Sequence, residues 1–290
     1  MLPNAVESVL NASSIIEELI VIDQSTDERS EKSIEQFKTD TRLKYVKDNR
    51  VGKGLALNTG LKLAQGDVVA ITDDDCVVSK DWPYHLIKSF HDNQKVAVAF
   101  GNVYPAPYDP KDGFIPIYTI TKDKHIRHMW GKMFEGGIGA NMAVRKMMAI
   151  EIGGFDLELG PGGKFGACVD GDFALRSLIR GYEITNVAAS SVVHYGFRDW
   201  NSGSKMIQNA FYGIGASYVK PLRCGIVGGL PVYMEILISQ CILHVIGRTL
   251  SFRKPFGFHR LTSYLQGTRD GWRHPIDHKT LKYLSQRENN

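Results

Sequence analysis

Cysteine is scarce in this chain of 290 residues, which has only four: Cys76, Cys168, Cys224 and Cys241. They lie far apart and form no C-x-x-C pair. Disulfide-stapled domains and structural zinc sites need more numerous or more closely spaced cysteines, so the sequence indicates neither. We expect four free thiols in a reducing compartment.

Excess charge is also small. The chain has 35 Lys and Arg against 31 Asp and Glu, a formal net charge of +4. Nucleic-acid binders usually carry a denser basic surface, so we expect no nucleic-acid partner. The opening residues, MLPNAVESVLNAS, lack the basic start and the apolar core of a signal peptide. We therefore expect a cytoplasmic protein.

The apolar runs are shorter than a membrane-spanning helix, which needs about 18 residues. The most apolar region, from Cys224 to Gly247, is divided by Glu235. We predict a buried pair of helices here. The alternative is a helix on the membrane surface, with contact of residues 204–260 at the inner face of the cell membrane, because positive residues flank the region. These residues are Lys220, Arg223, Arg248, Arg253, Lys254 and Arg260.

The first 200 residues alternate short apolar runs with helical patterns. ELIVID (18–23) and DVVAIT (67–72) are typical of buried strands, and GKGLALNTGLKLAQG (52–66) is typical of a helix. This alternation predicts an α/β domain over residues 1–200 with a mostly parallel central sheet. Residues 201–290 are apolar and basic with helical patterns, and we predict a helical C-terminal extension there.

Residues 105–135 interrupt this alternation with Pro, Gly and aromatic residues among Lys, Arg and His. A long irregular segment inside a compact domain is usually a functional loop. We expect either a functional loop or a mobile segment here.

Acidic residues follow two of the predicted strands. Asp23 ends the first, and Asp73, Asp74 and Asp75 follow the second. Ligands of open α/β sheets bind beyond the carboxyl ends of the strands, so these acids should meet at one site. In an extended segment, Asp73 and Asp75 would face the same way and suit one Mg²⁺ or Mn²⁺ ion with a substrate phosphate. The alternative is a solvated acidic turn.

Three other positions carry candidate chemistry. Lys53 follows Gly52 at a helix start, where N–H groups and charge can hold a phosphate or sugar oxygen. Asp170 and Asp172, in VDGD, open another helix and either cap it or supply a general base. His194 ends a predicted strand and is either an ordinary strand-end residue or a metal ligand.

Six motifs follow one another in a defined order. They are VIDQSTD (21–27), GKGLALNTGLKLAQGDVVAITDDDC (52–76), GANMAVRK (139–146), GGFD (153–156), VDGDFALRSLIRGYEI (169–184) and VVHYGFR (192–198). Over roughly residues 5 to 200, this order resembles glycosyltransferase family 2. The resemblance implies the GT-A fold, a UDP, GDP or dTDP sugar as donor, an Mg²⁺ or Mn²⁺ cofactor and inversion at the sugar carbon.

The resemblance also implies the chemical roles of single residues. Asp170 would be the catalytic base, and Asp75 and His194 would hold the metal ion. Asp74, beside Asp75, would belong to the nucleotide-sugar-binding residues. The repulsion among the three consecutive aspartates would then be offset by the cation and the diphosphate.

Further residues would bind the nucleotide sugar by the same resemblance. Asp23 would accept a hydrogen bond from the nucleotide base, and Asp73 would lie towards the ribose. Lys53 and Asn58 would line the nucleotide and diphosphate side of the cleft. Asn141 would lie beside the donor sugar or the acceptor.

Two features depart from the family pattern. Val169 stands where the family usually has Glu before the base. Relatives begin with a strand reading approximately VSVIIPTYN, whereas AVESVLNAS (5–13) looks like the helix that follows it, so we expect an N-terminally truncated sequence. Besides an inverting transferase acting on a glycan or lipid-linked acceptor, two alternatives stay open. One is a nucleotide-sugar-binding module without turnover, and the other is a retaining transferase on the same fold.

Overall fold

The computed structural model describes residues 1–133, 136–251 and 257–288. Its α-helices are α1 (Leu2–Leu10), α2 (Arg29–Ser33), α3 (Lys53–Leu63), α4 (Trp82–Asp92), α5 (Lys146–Glu151), α6 (Val169–Ile179), α7 (Trp200–Arg223), α8 (Leu230–Glu235), α9 (Leu243–Leu250) and α10 (Gly257–Arg273). Its strands are β1 (Leu19–Asp23), β2 (Leu43–Lys47), β3 (Val68–Ile71), β4 (Cys76–Val78), β5 (Val96–Pro105), β6 (Gly113–Phe114), β7 (Lys124–Ile126), β8 (Met142–Arg145), β9 (Glu183–His194), β10 (Arg198–Asp199), β11 (Ile276–Asp277) and β12 (Lys282–Tyr283).

The central sheet is mixed, so the prediction of a mostly parallel sheet is wrong. Its strand order is β3-β8-β5-β9-β4, and β7 also pairs with β9. Strands β5 and β9 are parallel, whereas β8 is antiparallel to both of its neighbours and β9 is antiparallel to β4 and β7. Strand β8 enters the sheet after the irregular segment rather than after a crossover helix. Apolar periodicity reports that a strand is buried but not its direction.

Helices cover both faces of this sheet. On one face, α3, α5 and α6 pack against β5 and β8, with Phe100, Phe155 and Phe173 at the centre. On the other face, α1 and α4 pack against β4, β5 and β9 around Trp82 and Leu86. The eight residues Val96–Val103 of β5 are buried, which places the core along this strand.

Strands β1 and β2 form a separate, parallel two-stranded sheet. Strands β1 and β3 run in the same direction. Contacts connect the segments that precede the two strands, and other contacts connect the segments that follow them. Before the strands, the Glu18 carboxylate accepts a hydrogen bond from the backbone N–H of Gly66. After the strands, Gln24 bonds the backbone of Gly52, and the next residue, Lys53, contacts Asp73.

A cavity of about 1070 Å³ separates β1 from β3. Both strands line it, together with α1, α3 and α4. Although β1 and β3 are apolar in sequence, no apolar residue of either strand is fully buried. Within the described residues no strand lies between them, and we call this part of the cavity the β1–β3 gap. The cavity continues past the carboxyl ends of both strands to Asp73, Asp75 and Asp170.

The irregular segment contains β6, β7 and a 3₁₀ helix at Met129–Met133. Residues 134 and 135, the last of the predicted segment, lie outside the described residues. Its contacts include the pairing of β6 with β10 and of β7 with β9. The segment is therefore partly attached to the sheet.

The C-terminal region is helical, as predicted, and begins with α7. After α7, a 3₁₀ turn, α8, a π-helix at Ile236–Ile242 and α9 follow without a break. The resulting helix, Val227–Leu250, has 24 residues and a mean hydropathy of 1.5, which is long and apolar enough to cross a membrane. Only 17% of its most apolar window is buried, so the prediction of a buried helix pair is wrong. Glu235 does not interrupt the helix.

Candidate active site

The three consecutive aspartates occupy a turn between β3 and β4. The backbone N–H of Cys76 donates to the carbonyl of Asp73 at 3.1 Å and closes this turn. The extended segment assumed from the sequence is therefore absent. Asp73 contacts Lys53, whereas Asp75 contacts His194, so the two carboxylates have different partners.

Asp75 and His194 form a close pair at the mouth of the cavity. The His194 Nε2 and Asp75 Oδ1 atoms are 3.2 Å apart, and His194 Nδ1 lies 3.1 Å from the carbonyl oxygen of Pro116. Burial lowers the pKa of His194, but the Asp75 carboxylate and the Pro116 carbonyl outweigh it, and the pKa is raised. The hydrogen bond from His194 lowers the pKa of Asp75.

This pair fits a divalent cation. Asp75, Cys76 and His194 place one ligand atom each within 4.8 Å of one another. Burial raises the pKa of the Cys76 thiol to about 12. Mg²⁺ and Mn²⁺ prefer oxygen ligands to a thiol, so the carboxylate and the imidazole are the candidate ligands. The backbone of Gly196 lines the same space, because a Cβ there would lie 2.5 Å from His194 Nε2 and 2.7 Å from Asp75 Oδ2. The Asp75 carboxylate suits Mg²⁺ or Mn²⁺, and an imidazole is a ligand of first-row transition-metal ions.

Lys53, at the first position of α3, lies opposite this pair. Its Nζ donates to Asp73 Oδ1 at 2.7 Å. Burial lowers the pKa of Lys53, but Asp73 and Asp170 outweigh it and raise the pKa. Two of the N–H groups at this helix start already have partners, because Gly52 N–H donates to Gln24 and Lys53 N–H donates to Pro161. The side chain of Lys53 therefore provides the positive charge here.

The carboxylate of Asp170 is fixed by two backbone amides. The N–H of Gly139 donates to Oδ2 at 2.6 Å, and the N–H of Gly171 donates to Oδ1 at 2.8 Å. Asp170 is half-buried and lines the cavity that also holds Asp75 and Lys53. A carboxylate held in this way can accept a proton from a hydroxyl that enters the cavity.

Asp23 lies on the β1 side of the cavity and is only 7% exposed. It accepts hydrogen bonds from Ser25, from the Tyr45 hydroxyl and from Lys47 Nζ. Burial raises its pKa, but Lys47, Tyr45 and Ser25 outweigh this and hold the pKa of the carboxyl well below its usual range. Asp23 therefore stays ionised, with part of its acceptor capacity already used.

The exposed Asp74 also lines the cavity. Loss of water contacts and the charges of Asp75 and Asp73 raise its pKa. Asp74 therefore adds to a negative region that a cation would stabilise.

Two predicted residues are not among the described residues that line the cavity. Asn58 forms hydrogen bonds of 2.8 and 2.9 Å with the backbone N–H and carbonyl of Phe155, and so fixes the GGFD loop. Asn141 is fully buried, where its Oδ1 accepts from Trp82 Nε1 and its Nδ2 donates to the Asn102 carbonyl. Both side chains hold the site's framework together.

Sequence reasoning gave no role to Arg198 or to the amide of Gly139. Arg198 lines the cavity near Asp75, and its charge contributes to the lowered pKa of that carboxyl. Its signal was a basic residue four positions after His194 in VVHYGFR. The backbone donor at Gly139 has no such signal, because it depends on the loop path.

The sequence and the fold can now be compared with known proteins. The model of the family described as glycosyl transferase family 2 matches residues 1–153, more than half of the chain. The chain belongs to this family. A glucosyl-dolichyl phosphate glucuronosyltransferase of Haloferax volcanii is 25% identical over 159 residues, which are 53% of this chain and 51% of that protein. A poly-beta-1,6-N-acetyl-D-glucosamine synthase of Staphylococcus epidermidis is 33% identical over 101 residues, 34% of this chain and 24% of that protein.

The chain therefore spans about half the length of the first of these relatives and about a quarter of the second. Among solved structures, mannosyltransferase PcManGT from Pyrobaculum calidifontis, in complex with GDP-Man and Mn²⁺, has a TM-score of 0.60 and 16% identity. The match covers 93% of this chain and 83% of that one. S. aureus TarS 1-349 in complex with UDP-GlcNAc has a TM-score of 0.58 and 14% identity, covering 92% and 77%. These similarities confirm the predicted GT-A fold.

Proposed function

We propose that this family 2 chain is an inverting, metal-dependent glycosyltransferase. It would move a sugar from a nucleoside diphosphate donor to a hydroxyl of a glycan or lipid-linked acceptor. The observation that carries this proposal is that one cavity holds a fixed carboxylate, Asp170, a carboxylate–imidazole pair, Asp75 and His194, and a lysine, Lys53. GDP-Man and UDP-GlcNAc, bound by proteins of the same fold, support donors of the UDP or GDP type.

Each residue of the cavity would have its own role in the sugar transfer. Asp170 takes the proton from the acceptor hydroxyl, whose oxygen forms a bond to the anomeric carbon from the face opposite the diphosphate. The bond from that carbon to the diphosphate oxygen breaks with its electron pair on the leaving group. Lys53 and Arg198 supply positive charge on the diphosphate side. Asp75 and His194 would hold a divalent cation, which when bound neutralises charge on the departing diphosphate.

The acceptor class rests on different support. The Haloferax volcanii relative is named for a dolichyl phosphate substrate, and the described residues here include a long exposed apolar helix. Together they support a lipid-linked acceptor and a location at the inner face of the cell membrane.

Nucleotide binding and turnover test the proposal separately. Melting temperature is measured with UDP, GDP and dTDP, with and without Mn²⁺, for the wild type, Asp75→Asn and the exposed-loop control Asp112→Asn. A ligand that binds only the folded state raises the melting temperature according to its concentration relative to Kd. We expect a Mn²⁺-dependent rise with one nucleotide that Asp75→Asn removes and Asp112→Asn keeps.

Turnover is then measured as release of that nucleotide from its sugar conjugates, for the wild type and Asp170→Asn. Asp170→Asn should keep the nucleotide-dependent rise and lose at least about a hundredfold in rate, as general-base removal does. Nucleotide binding without release by the wild type, with glycan and lipid-linked acceptors supplied, would favour the binding module. A retained anomeric configuration in the product would favour the retaining transferase.

A further inference from the structure

An exposed apolar stripe follows the continuous helix Val227–Leu250. Val227 and Leu243 of this helix are also exposed. The members of the stripe are Leu230, Ile238, Ile242, Ile246 and Leu250, whose side chains are between 36% and 76% exposed. An exposed apolar patch of this kind marks an interaction surface. We call these five residues the apolar stripe.

The π-helix keeps the apolar stripe on one side. In an α-helix of 3.6 residues per turn, a residue four positions further along lies about 40° beyond a full turn, so a stripe with this spacing winds around the axis. The π-helical turns at Ile236–Ile242 are wider, and residues four apart there fall short of a full turn. The angular offset over four residues is thus positive in the α-helical turns and negative in the π-helical turns. The two partly cancel, so the apolar stripe stays on one side of the helix.

The other side of this helix is attached to the protein. Val232 and Cys241 are buried at 1% and 0% exposure. The Tyr264 hydroxyl of α10 donates to the carbonyl of Tyr233 at 2.9 Å. A helix fixed to a folded domain along one side cannot be surrounded by lipid, so it offers one apolar face only.

Charge and aromatic residues around the helix suit an anionic lipid surface. Arg248 lies in the last turn of this helix. Glu235, the one acidic residue of the helix, lies about three turns earlier and accepts a hydrogen bond from Ser239 at 2.6 Å. At the other end, Trp130 is 56% exposed, and its Nε1 donates to the Gly228 carbonyl. Tryptophan is enriched at the membrane–water interface, and basic residues are attracted to anionic headgroups.

We propose that the apolar stripe docks on the surface of an anionic bilayer, with the helix parallel to the membrane plane. Apolar area and electrostatic attraction together set the strength of such binding. The sequence also has Arg253 and Lys254 directly after this helix, outside the described residues. Binding of this kind requires no sugar transfer, so it can be tested whether or not the proposed function holds.

The test is co-sedimentation of the purified chain with vesicles of phosphatidylcholine alone and of phosphatidylcholine mixed with phosphatidylglycerol. The stripe variant carries Ile238→Ser, Ile242→Ser and Ile246→Ser. The control variant carries Leu63→Ser, Met147→Ser and Ile150→Ser, three apolar side chains of similar exposure elsewhere. We expect binding to the mixed vesicles, at least about tenfold weaker for the stripe variant and unchanged for the control, given about 25 cal/mol per Å² of apolar surface.

Other results would overturn the proposal. These are absence of wild-type binding, equal binding by the stripe variant, or retention on vesicles after alkaline carbonate washing, which would indicate a spanning helix. Sedimentation of the wild type and the stripe variant without lipid tests whether the chain associates with itself through the stripe. A wild-type dimer that becomes a monomer in the stripe variant would assign the stripe to a second copy of the chain. If the stripe variant melts early, the single change Ile242→Glu replaces it, with Ile150→Glu as its control.

Discussion

Lys220 Nζ lies 2.7 Å from Asp172 Oδ1, and both side chains are 1% exposed. Lys220 also pairs with the buried Asp156, and Asp172 pairs with Arg176 at 2.7 Å. Asp172 thus belongs to a buried ion network. It does not cap α6, although the sequence alone allowed that role. The network joins α7 to the helix that carries Asp170, so the C-terminal helices support the candidate base.

Removing the lysine from this network should destabilise the protein strongly. Lys220→Met leaves two buried carboxylates without their shared cation, a change that typically costs about 3–5 kcal/mol. Urea unfolding measures the loss. Lys205→Met, at an exposed position of the same helix, is the matched control and should change the free energy of unfolding by less than about 0.5 kcal/mol. Equal stability of the two variants would show that the network contributes nothing.

Acid should remove the stabilisation that Asp172 provides. Burial raises the pKa of Asp172, but Lys220 and Arg176 outweigh it and hold the pKa below the unfolded value of about 3.9. Because the folded pKa is the lower one, this stabilisation is complete above the unfolded pKa and is lost as pH falls through the folded pKa. Urea unfolding of the wild type and Asp172→Asn, from about pH 7 to about pH 3, should show their difference shrinking in acid. A constant difference would contradict the assignment.

Gly196 should be essential for cation binding. In Gly196→Ala, the new Cβ would displace His194 Nε2 or Asp75 Oδ2 from the space between them. We expect Mn²⁺ affinity, measured by calorimetry, to fall about 10- to 100-fold, as when the surroundings of metal ligands are disturbed. Gly247→Ala is the control, because nothing lies within 4 Å of its Cβ position. Unchanged affinity in Gly196→Ala would place the cation elsewhere.

Replacing Asn141 should lower the stability of the protein, in addition to any effect on sugar binding. Asn141→Ala leaves the buried Trp82 Nε1 and the Asn102 carbonyl without this partner, and each such group costs about 1–3 kcal/mol. The expected result is a lower free energy of unfolding in urea. A variant as stable as the wild type that no longer binds a sugar nucleotide would instead support the predicted role beside the sugar.

The sequence predicts much of the site but little of its internal geometry. Asp23, Asp75 and Asp170, which the structure places along one cavity, were chosen as candidates because acids at strand ends and helix starts are visible as patterns. The pairing of Lys53 with Asp73 was not predicted, since it depends on the turn between β3 and β4. Strand direction in the sheet was missed for a similar reason, because an apolar run is the same in either orientation.

The structure gives Asn58 and Asn141 a framework role that the sequence does not show. Both stand in motifs that carry the resemblance, and both were assigned to the nucleotide sugar. In the structure each uses its amide to fix backbone around the cavity. A motif residue that shapes a loop and one that contacts a ligand have the same appearance in a sequence.

The β1–β3 gap should be visible in amide hydrogen exchange. Strand β5 is paired on both sides, with β8 and β9, so its amides should exchange only when the core opens. Strands β1 and β3 each pair on one side within the described chain, so alternate amides face the gap. Deuterium should therefore enter these two strands much sooner than β5. Asp23 ends β1, and Asp73 follows β3. Both residues of the candidate site would then lie next to backbone that opens on a faster timescale than the rest of the sheet.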